Sequence, residues 1–450
     1  MAPEPAAPAA RALPPRTVKQ RVGYVARYTL TTLFRTAIRC LRFLRVLPRH
    51  ATNRAGDTLL IVHLTPHLGD TIMVMPMIEA LRVANPNARI EFAVEASAAP
   101  LLRATPEIDH IHALALGQQP PVRPLKAIGR ALRVTRTWWK HMRTFAPAVC
   151  LLPRWDNDQY RSSVLAWLLD APQRIGFASD TIPGTRRAPY RDAFLTQRIH
   201  GGSGMHEAEH FCLLAAEAGF IPASSIRQAG ASPVRALQRI AATQDWPALA
   251  HRLGIDPSRP FAVVAPGASM PRKVWSTQRW ARVCEALFAK GFDVVLLGGA
   301  SDKTYAEALD ELCKHRTILA AGKTTLLEST TLLSHASLFV GGDSGPGHVA
   351  GALGVPSVIL FAAVEDGDPD DVLSPHRIRP LGPFVAAVCP PRNLPPCRVG
   401  CTAAEPHCLT LIEPAPVLDA IDAVLKYSAA MAHTAPDTPL LTATLGGPRQ

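Results

Sequence analysis

The chain of 450 residues carries a formal net charge of +12 at pH 7, and 48% of its residues are hydrophobic. This composition is that of a globular protein with room for two or three domains. No apolar stretch reaches about 18 residues, so we expect no membrane-spanning helix, and no secretory signal is expected either. Nine cysteines, an odd number scattered along the chain, favour a reducing compartment over a disulfide framework.

The positive charge is concentrated in the first 50 residues, which hold nine Arg and one Lys against Glu4 alone, a net +9. From Gln20 to Leu47 the apolar residues and the Arg residues recur on separate faces of a predicted helix. A basic amphipathic helix of this kind can lie in an anionic membrane interface. We therefore predict that an arm, residues 1–55, holds the protein on a membrane surface, with packing of the helix on the body as the alternative. No nucleic-acid motif accompanies the arm, so no nucleic-acid partner is predicted.

A first α/β unit begins after the arm. Its pattern predicts a strand from Thr58 to Leu64, a helix over 71–84 and a second strand over 89–94, which together indicate a parallel sheet. Asp70 stands at the start of the predicted helix. It could be a simple N-cap, but we favour a general base, because a carboxylate near a helix N-terminus stays ionised and can take a proton from a hydroxyl group.

The next part of the chain is basic. Residues 123–143 hold seven Lys or Arg and no acid, which is usual for a solvated helix face but also suits a wall that meets an anionic acceptor. We assign Gly69, Arg130 and Arg133 to the acceptor side. Asp156 and Asp158 follow a predicted strand and could hold a divalent cation, but so short a pattern is common and we predict no metal there. Residues 180–210 are predicted to be an irregular loop.

A second α/β unit follows a linker. The predicted strand over 261–265 ends in a glycine-containing loop, Pro266–Trp275, in which Ser269 and Lys273 suit the diphosphate of a donor: one offers a hydroxyl and the other a compact positive charge. A plain surface lysine is the alternative. Residues 321–324 mimic the end of a P-loop, but Thr317 stands where the motif needs its first glycine.

The stretch over 338–361 has the strongest pattern in the chain. A short apolar strand leads into a Gly/Asp/Ser loop and then a small-residue helix, which Gly354 and Pro356 should end. A glycine-rich turn at a helix N-terminus binds anions, because free N–H groups and the helix dipole both favour phosphate. A tight turn without a ligand is the alternative. We predict donor-binding residues as follows: Ser269, Lys273, Thr325, Asp343, Ser344, Gly345, Gly347 and His348.

Four cysteines lie close together near the end of the chain. Cys389, Cys397, Cys401 and Cys408 are accompanied by His407. No pair has the C-x-x-C spacing of common zinc sites, so we predict reduced structural thiols, with zinc as the alternative. A last helix is predicted over 416–431, and the tail, 433–450, is predicted to be disordered.

Three of these stretches resemble the bacterial lipopolysaccharide heptosyltransferases, glycosyltransferase family 9. The residues Asp343–Pro356 resemble the family signature Asp-Ser-Gly-x-x-His-x-Ala-x-x-x-Gly-x-Pro. The loop Leu68–Asp70, with Pro76 at the family's spacing, resembles its N-terminal motif. The loop over 266–275 resembles its Pro-Gly-[Ala]-[Ser]-x(3)-Lys-x-Trp element. The sequence departs from the family in its basic arm, at His67 before the Leu68–Asp70 loop, and at Ser344, where many members have Thr.

The resemblance implies an α/β fold in which two Rossmann-like domains face each other across a cleft, the GT-B arrangement. Residues 56–225 would form the acceptor-side domain and residues 226–425 the nucleotide-sugar domain. It also implies a sugar transferase that needs no metal or other cofactor. A sugar, a heptose in the family, would pass with inversion from a nucleotide-diphospho-sugar such as ADP-heptose to an anionic glycolipid of the lipopolysaccharide core.

The implied location is cytoplasmic, peripheral on the inner face of the bacterial inner membrane. Two alternatives come from other functional classes. One is a non-catalytic nucleotide-sugar-binding or membrane scaffold protein, and the other is a nucleotide-sugar epimerase. Asp70 together with Lys273 argues against the scaffold protein, and the Leu68–Asp70 loop favours transfer over epimerisation.

Overall fold

The computed structural model describes residues 32, 36 and 58–432, except 66, 115–146, 156–157, 159–161, 182–190, 230–232, 269, 396 and 398–404. Two six-stranded parallel sheets organise this part of the chain. The strands of the first sheet are β1 Thr58–Val62, β2 Arg89–Glu95, β3 His110–Leu114, β4 Val149–Leu152, β5 Gln173–Phe177 and β6 Gln197–Ile199. Those of the second are β7 Phe261–Ala265, β8 Asp293–Leu296, β9 Ile318–Leu319, β10 Leu338–Gly342, β11 Ser357–Leu360 and β12 Val385–Val388.

Both sheets have the same doubly wound strand order. The first runs β3-β2-β1-β4-β5-β6, and the second, taken from its other edge, runs β9-β8-β7-β10-β11-β12. In such sheets the order reverses between the first and fourth strands, and ligands bind at the carboxyl ends of these two strands. The central strands are continuous apolar runs buried on both faces, as in the sequences of β1 and β7, which is what a parallel sheet covered by helices requires. The predicted fold class is confirmed.

Helices cover both sheets. Those of the first half are α1 Leu68–Met73, α2 Met75–Ala84, α3 Ala99–Arg103, α4 Ser162–Leu168, α5 Glu207–Glu217 and α6 Ser224–Gln228. Those of the second half are α7 Arg235–Ala241, α8 Trp246–Leu253, α9 Thr277–Ala289, α10 Lys303–Leu312, α11 Leu326–Ser334, α12 Gly345–Leu353, α13 Pro375–Ile378 and α14 Pro414–Ala432. No helix in the described ranges is both long and apolar enough to cross a membrane.

The change from one unit to the other falls near α6. Helix α5 packs against α2 in the first unit, and α6 packs against α5. Helices α7 and α8 instead pack against α11, and α14 packs against the second sheet. Each sheet therefore has its own helical cover.

Two predicted elements differ from the structure. The predicted helix over 71–84 begins earlier, at Leu68, and is divided at Val74 into α1 and α2. The predicted loop over 180–210 contains the edge strand β6 and the start of α5. A three-residue edge strand with two exposed residues leaves no alternation in the sequence by which it could be found.

Candidate functional site

The two topological switch points face each other across a cleft of about 550 Å³. Helix α1, which follows β1, carries Asp70, and the segment after β4 carries Arg154. The segments after β7 and β10 carry Lys273 and Asp343. All four side chains come from the carboxyl ends of central strands, where the doubly wound fold binds ligands. The charged and polar residues that line the cleft are His67, Asp70, Arg154, Glu207, Arg272, Lys273, Ser301, Asp302, Asp343, Ser344, His348 and Arg377.

Asp70 is the third residue of α1 and is held by side chains rather than used as a helix cap. His67 occupies the N-cap position, so the N-cap alternative for Asp70 is wrong. The Thr65 hydroxyl donates a hydrogen bond to Asp70 Oδ2 at 2.8 Å, and Arg154 Nη1 donates to the same oxygen at 3.2 Å. The carboxylate is thus fixed in orientation from two sides, within the cleft.

The surroundings of Asp70 decide its ionisation. Burial alone would raise the pKa of the carboxyl group, but the Arg154 guanidinium, the two nearby imidazoles of His67 and His63, and the Thr65 hydrogen bond together lower the pKa to about 2. Asp70 is therefore ionised throughout the neutral range and can accept a proton. At so low a pKa it is a weak base, suited to taking a proton whose acidity rises during bond formation.

We expect the charge of Arg154 to set the pH range of activity. Replacing Arg154 by Gln removes the main pKa-lowering group and leaves burial, so the pKa of Asp70 should rise. On our prediction that ionised Asp70 is the general base, the acid limb of the kcat/KM profile should then move to higher pH. Arg154→Lys keeps the charge and should keep the profile of the parent. Coinciding profiles of the Gln variant and the parent would remove Arg154 from the control of Asp70.

Lys273 and Asp343 form a buried ion pair on the opposite side of the cleft. Lys273 Nζ lies 2.5 Å from Asp343 Oδ2, and His348 Nε2 lies 3.5 Å from Oδ1. The side chains of Lys273 and Asp343 are only 13% and 5% exposed. Burial would raise the pKa of Asp343, but Lys273 and His348 hold it well below its usual range. Two side chains, those of Lys273 and His348, thus hold this carboxylate in place.

The first turn of α12 faces the same cleft. Ser344 is the N-cap, and its hydroxyl donates to the Gly342 carbonyl at 3.1 Å rather than capping the helix. Pro346 has no N–H group, so the N–H groups that the first turn can offer an anion begin with that of Gly345. The helix ends as predicted at Gly354, whose φ of 84° is left-handed.

Glycines let the two halves approach each other at this point. A Cβ on Gly69 would lie 2.5 Å from His348 Cδ2, and one on Gly345 would lie 3.1 Å from Leu68 Cδ2. Helices α1 and α12 pack together through these contacts. Gly69, assigned to the acceptor side from the sequence, thus lies directly against a residue of the opposite half.

A polar contact between Arg377 and Glu207 also joins the two halves. Arg377 Nε donates to Glu207 Oε2 at 2.7 Å, and both side chains are buried. The Arg377 guanidinium also lies over the ring of Trp155, 5.3 Å from its centroid. Because Glu207 begins α5 and Arg377 belongs to α13, this pair helps to set how far the cleft opens.

Several residues of this site were not found from the sequence. Arg154, Glu207, Arg272, Asp302 and Arg377 all line the cleft. Asp302 offered a signal, since it follows Gly298 and Gly299 at the end of β8, and a Cβ on Gly267 or Gly298 would clash with its carboxylate group. Arg154 and Arg377 offered none, because an isolated arginine carries no periodic pattern.

The other predicted site residues have different outcomes. Gly347 is buried in α12, behind the cleft surface. Thr325 is not among the residues that line the cleft; it caps α11, and its hydroxyl accepts the Glu328 N–H. Ser269, Arg130 and Arg133 lie outside the described residues.

The alternative of a divalent-cation site at Asp156 and Asp158 is not supported by the contacts of Asp158. Asp158 accepts hydrogen bonds from the backbone N–H groups of Ser162 and Ser163 at 2.6 and 3.1 Å. Its carboxylate is therefore engaged at the start of α4. Asp156 lies outside the described residues.

Comparison with known proteins places the chain in a family. The profile of glycosyltransferase family 9 (heptosyltransferase) matches residues 156–404, more than half of the chain. The chain belongs to glycosyltransferase family 9. Lipopolysaccharide heptosyltransferase 3 of Escherichia coli is 26% identical over 302 residues, which are 66% of this chain and 81% of the relative. Lipooligosaccharide heptosyltransferase 2 of Haemophilus influenzae is 34% identical over 108 residues, 23% of this chain and 31% of the relative.

Solved structures of the family share the fold. The family 9 glycosyltransferase of Veillonella parvula superimposes with a TM-score of 0.61 at 19% identity, covering 83% of this chain and 98% of that one. The E. coli ADP-heptose lps heptosyltransferase II gives a TM-score of 0.56 at 21% identity, covering 83% and 99%. The expected family and the two-domain architecture are therefore confirmed, and the chain is a glycosyltransferase by family.

Proposed function

We propose that this protein transfers a heptose from a nucleotide-diphospho-heptose, such as ADP-heptose, to an acceptor of the lipopolysaccharide core. One observation carries the proposal: a single cleft has an ionised, oriented carboxylate at Asp70 on one wall and a lysine beside an open helix N-terminus on the other. The first suits a hydroxyl acceptor and the second a diphosphate. The sugar is suggested by the relatives, which are named as lipopolysaccharide heptosyltransferases.

The proposed reaction is a single displacement with inversion. The acceptor hydroxyl oxygen attacks the anomeric carbon of the donor, the bond from that carbon to the diphosphate oxygen breaks, and Asp70 takes the hydroxyl proton. Negative charge then grows on the leaving diphosphate. Lys273 and the N–H groups at the start of α12 would stabilise that charge.

Asp343 has a different part in this proposal from Lys273. Its carboxylate is charged and would repel a diphosphate, so it does not contact the donor directly. It instead holds the Lys273 ammonium group in place at 2.5 Å. Asp302 is proposed to accept hydrogen bonds from the nucleoside, because its carboxylate lines the cleft beside Gly267 and Gly298.

We propose further that transfer needs no divalent cation, since Lys273 and α12 supply positive charge where the leaving group forms. Adding Mg²⁺ or Mn²⁺ to protein passed through a desalting column should then leave the rate unchanged. A transfer rate that depends on either ion would contradict this proposal and favour Asp156 as a metal ligand.

A donor panel tests the proposed function. Purified protein is mixed with several nucleotide sugars, with and without a lipopolysaccharide-core acceptor, and the release of nucleoside diphosphate is followed. We expect acceptor-dependent release from the heptose donor. Acceptor-independent conversion of the donor would indicate an epimerase, and donor binding without release would indicate a non-catalytic binding or scaffold protein.

We also propose that the basic arm, residues 1–55, contacts the membrane. In it only Thr32 and Thr36 are described, both helical and exposed, so its apolar face lies outside the described residues. We propose that the net charge of +9 on residues 1–50 holds the enzyme on the cytoplasmic face of the inner membrane, at about 1 kcal/mol for each basic residue near an anionic surface.

Deleting residues 1–50 tests the arm. The deletion should reduce sedimentation with anionic vesicles and lower transfer to membrane-embedded acceptor, because the basic residues are gone. Transfer to a soluble acceptor fragment should persist, since β1 begins only at Thr58. Raising the salt concentration should weaken vesicle binding of the intact protein. Equal sedimentation of the two proteins would favour an arm that packs on the body.

A further inference from the structure

Three potential metal ligands meet near the end of the chain, away from the cleft described above. Cys397, His407 and Cys408 offer two sulfur atoms and one ring nitrogen that all lie within 4.8 Å of one another. Both thiol groups are buried, with Cys397 3% and Cys408 2% exposed. The three residues come from two separate turns of the chain, so the fold and not mere proximity in sequence brings them together.

The two distances from the ring nitrogen to the sulfur atoms fit a tetrahedral ion. His407 Nδ1 lies 3.7 Å from Cys397 Sγ and 3.4 Å from Cys408 Sγ. An ion about 2.3 Å from sulfur and about 2.0 Å from nitrogen, at a tetrahedral angle, would place the two ligand atoms about 3.5 Å apart. Both measured distances are within about 0.2 Å of that value, so an ion could enter with little movement of the side chains.

The surroundings of Cys408 also suit a ligand sulfur. The Leu394 backbone N–H donates a hydrogen bond to Cys408 Sγ at 3.3 Å. Such a bond stabilises negative charge on sulfur and is a usual second contact of a metal-bound thiolate. Two thiolates and an imidazole form a soft set of ligands, which selects zinc or iron over magnesium or calcium.

We propose that Cys397, His407 and Cys408 bind one zinc ion. The sequence favoured reduced structural thiols here, with zinc as the alternative. The nitrogen-to-sulfur distances in the structure favour zinc instead. The proposal excludes Cys389, whose thiol pKa is raised by burial to about 12 and which is not part of the cluster. Cys401 lies outside the described residues and is not part of the proposed site.

The position of the cluster suggests what the ion stabilises. The chain that follows it packs on the loop that carries Lys273: Trp275 Nε1–H donates to the Ile412 carbonyl at 3.0 Å. Arg279 donates to the same carbonyl at 2.8 Å and pairs with Glu413 at 2.5 Å. A zinc ion would therefore fix the segment that supports the phosphate-facing loop, without taking part in the transfer of the sugar.

Metal analysis of the purified full-length chain, prepared without a histidine tag, tests the proposal. We expect about one equivalent of zinc per chain, and a loss of about fivefold or more in Cys397→Ser and in Cys408→Ser. Cys389→Ser is the matched control, because it removes a nearby cysteine outside the cluster, and it should retain the metal. Iron at about one equivalent would overturn the assignment to zinc.

A second measurement does not depend on the folding of a variant. Mercurial titration of the intact protein should release zinc as the cluster thiolates react, followed with a metal-sensitive dye. Cobalt exchanged into the site should give sulfur-to-cobalt charge-transfer absorption, which Cys389→Ser should preserve. Protein that holds less than about a tenth of an equivalent of any transition metal, and that gives no such absorption with added cobalt, would overturn the site itself.

Discussion

Asp70→Asn is expected to lower the rate of transfer by about 10²- to 10⁴-fold while leaving the fold and the affinity for the donor nearly unchanged. The amide has the shape of the carboxylate and can still accept the hydrogen bonds from Thr65 and Arg154 that fix the side chain. What it loses is the ability to take the proton of the acceptor hydroxyl. The effect should therefore fall on kcat, since the donor-facing groups lie on the opposite wall of the cleft.

The experiment separates catalysis from binding. Single-turnover rates report the chemical step, and calorimetry with the nucleoside diphosphate reports the donor site. Asp366→Asn serves as the matched control, because it makes the same chemical change at an exposed carboxylate that does not line the cleft; its rate should equal that of the parent. Near-normal turnover of the Asp70 variant would remove Asp70 from the mechanism.

The elements that were predictable are those with a strong local pattern. Strand β10, the turn at Ser344 and the end of α12 at Gly354 were all expected, because an apolar run, a glycine-rich loop and a Gly–x–Pro stop are each encoded within a few residues. Asp70 was also predicted to be a functional residue, and it lines the cleft. In these places local sequence and overall fold agree, which is the condition under which pattern reading succeeds.

The partners of those residues were not predictable. Nothing near Asp70 in sequence shows that Arg154, 84 residues away, will lie 3.2 Å from its carboxylate. The same is true of Asp343, whose partner Lys273 is 70 residues away. Such pairs depend on how separate strands align in the sheet and how the two halves face each other. Residue types at a site can therefore be read from one sequence, whereas the ionisation state that follows from their neighbours needs the structure.

The pairing of Lys273 with Asp343 gives the second large expected effect, and it falls on both stability and binding. Lys273→Met should reduce the free energy of unfolding by about 3–5 kcal/mol, because a buried carboxylate is left without its partner. It should also weaken binding of the nucleoside diphosphate by about 1.5–3 kcal/mol, the range for a hydrogen bond to a charged group. Methionine keeps most of the side-chain volume, so packing changes little.

A double variant separates the two effects. In Lys273→Met with Asp343→Asn the buried charge is gone, so most of the lost stability should return, while the affinity for the diphosphate should stay low. Denaturant unfolding and calorimetry on the parent, both single variants and the double variant complete the cycle. If affinity returned together with stability, Lys273 would be a structural residue and the donor would be held by other groups.

The pH dependence of the stability loss supplies an independent check on this pair. In the parent the pKa of Asp343 is held below its usual value, so the pair stabilises the fold at neutral pH and this contribution is lost only as the pH falls through that low pKa. Without Lys273, burial raises the pKa above that of the unfolded chain. The stability that remains is then present at low pH and lost as the pH rises through the raised pKa. The deficit of Lys273→Met relative to the parent should therefore be larger at pH 8 than at pH 5, and a deficit equal at both would mean that His348 alone keeps Asp343 ionised.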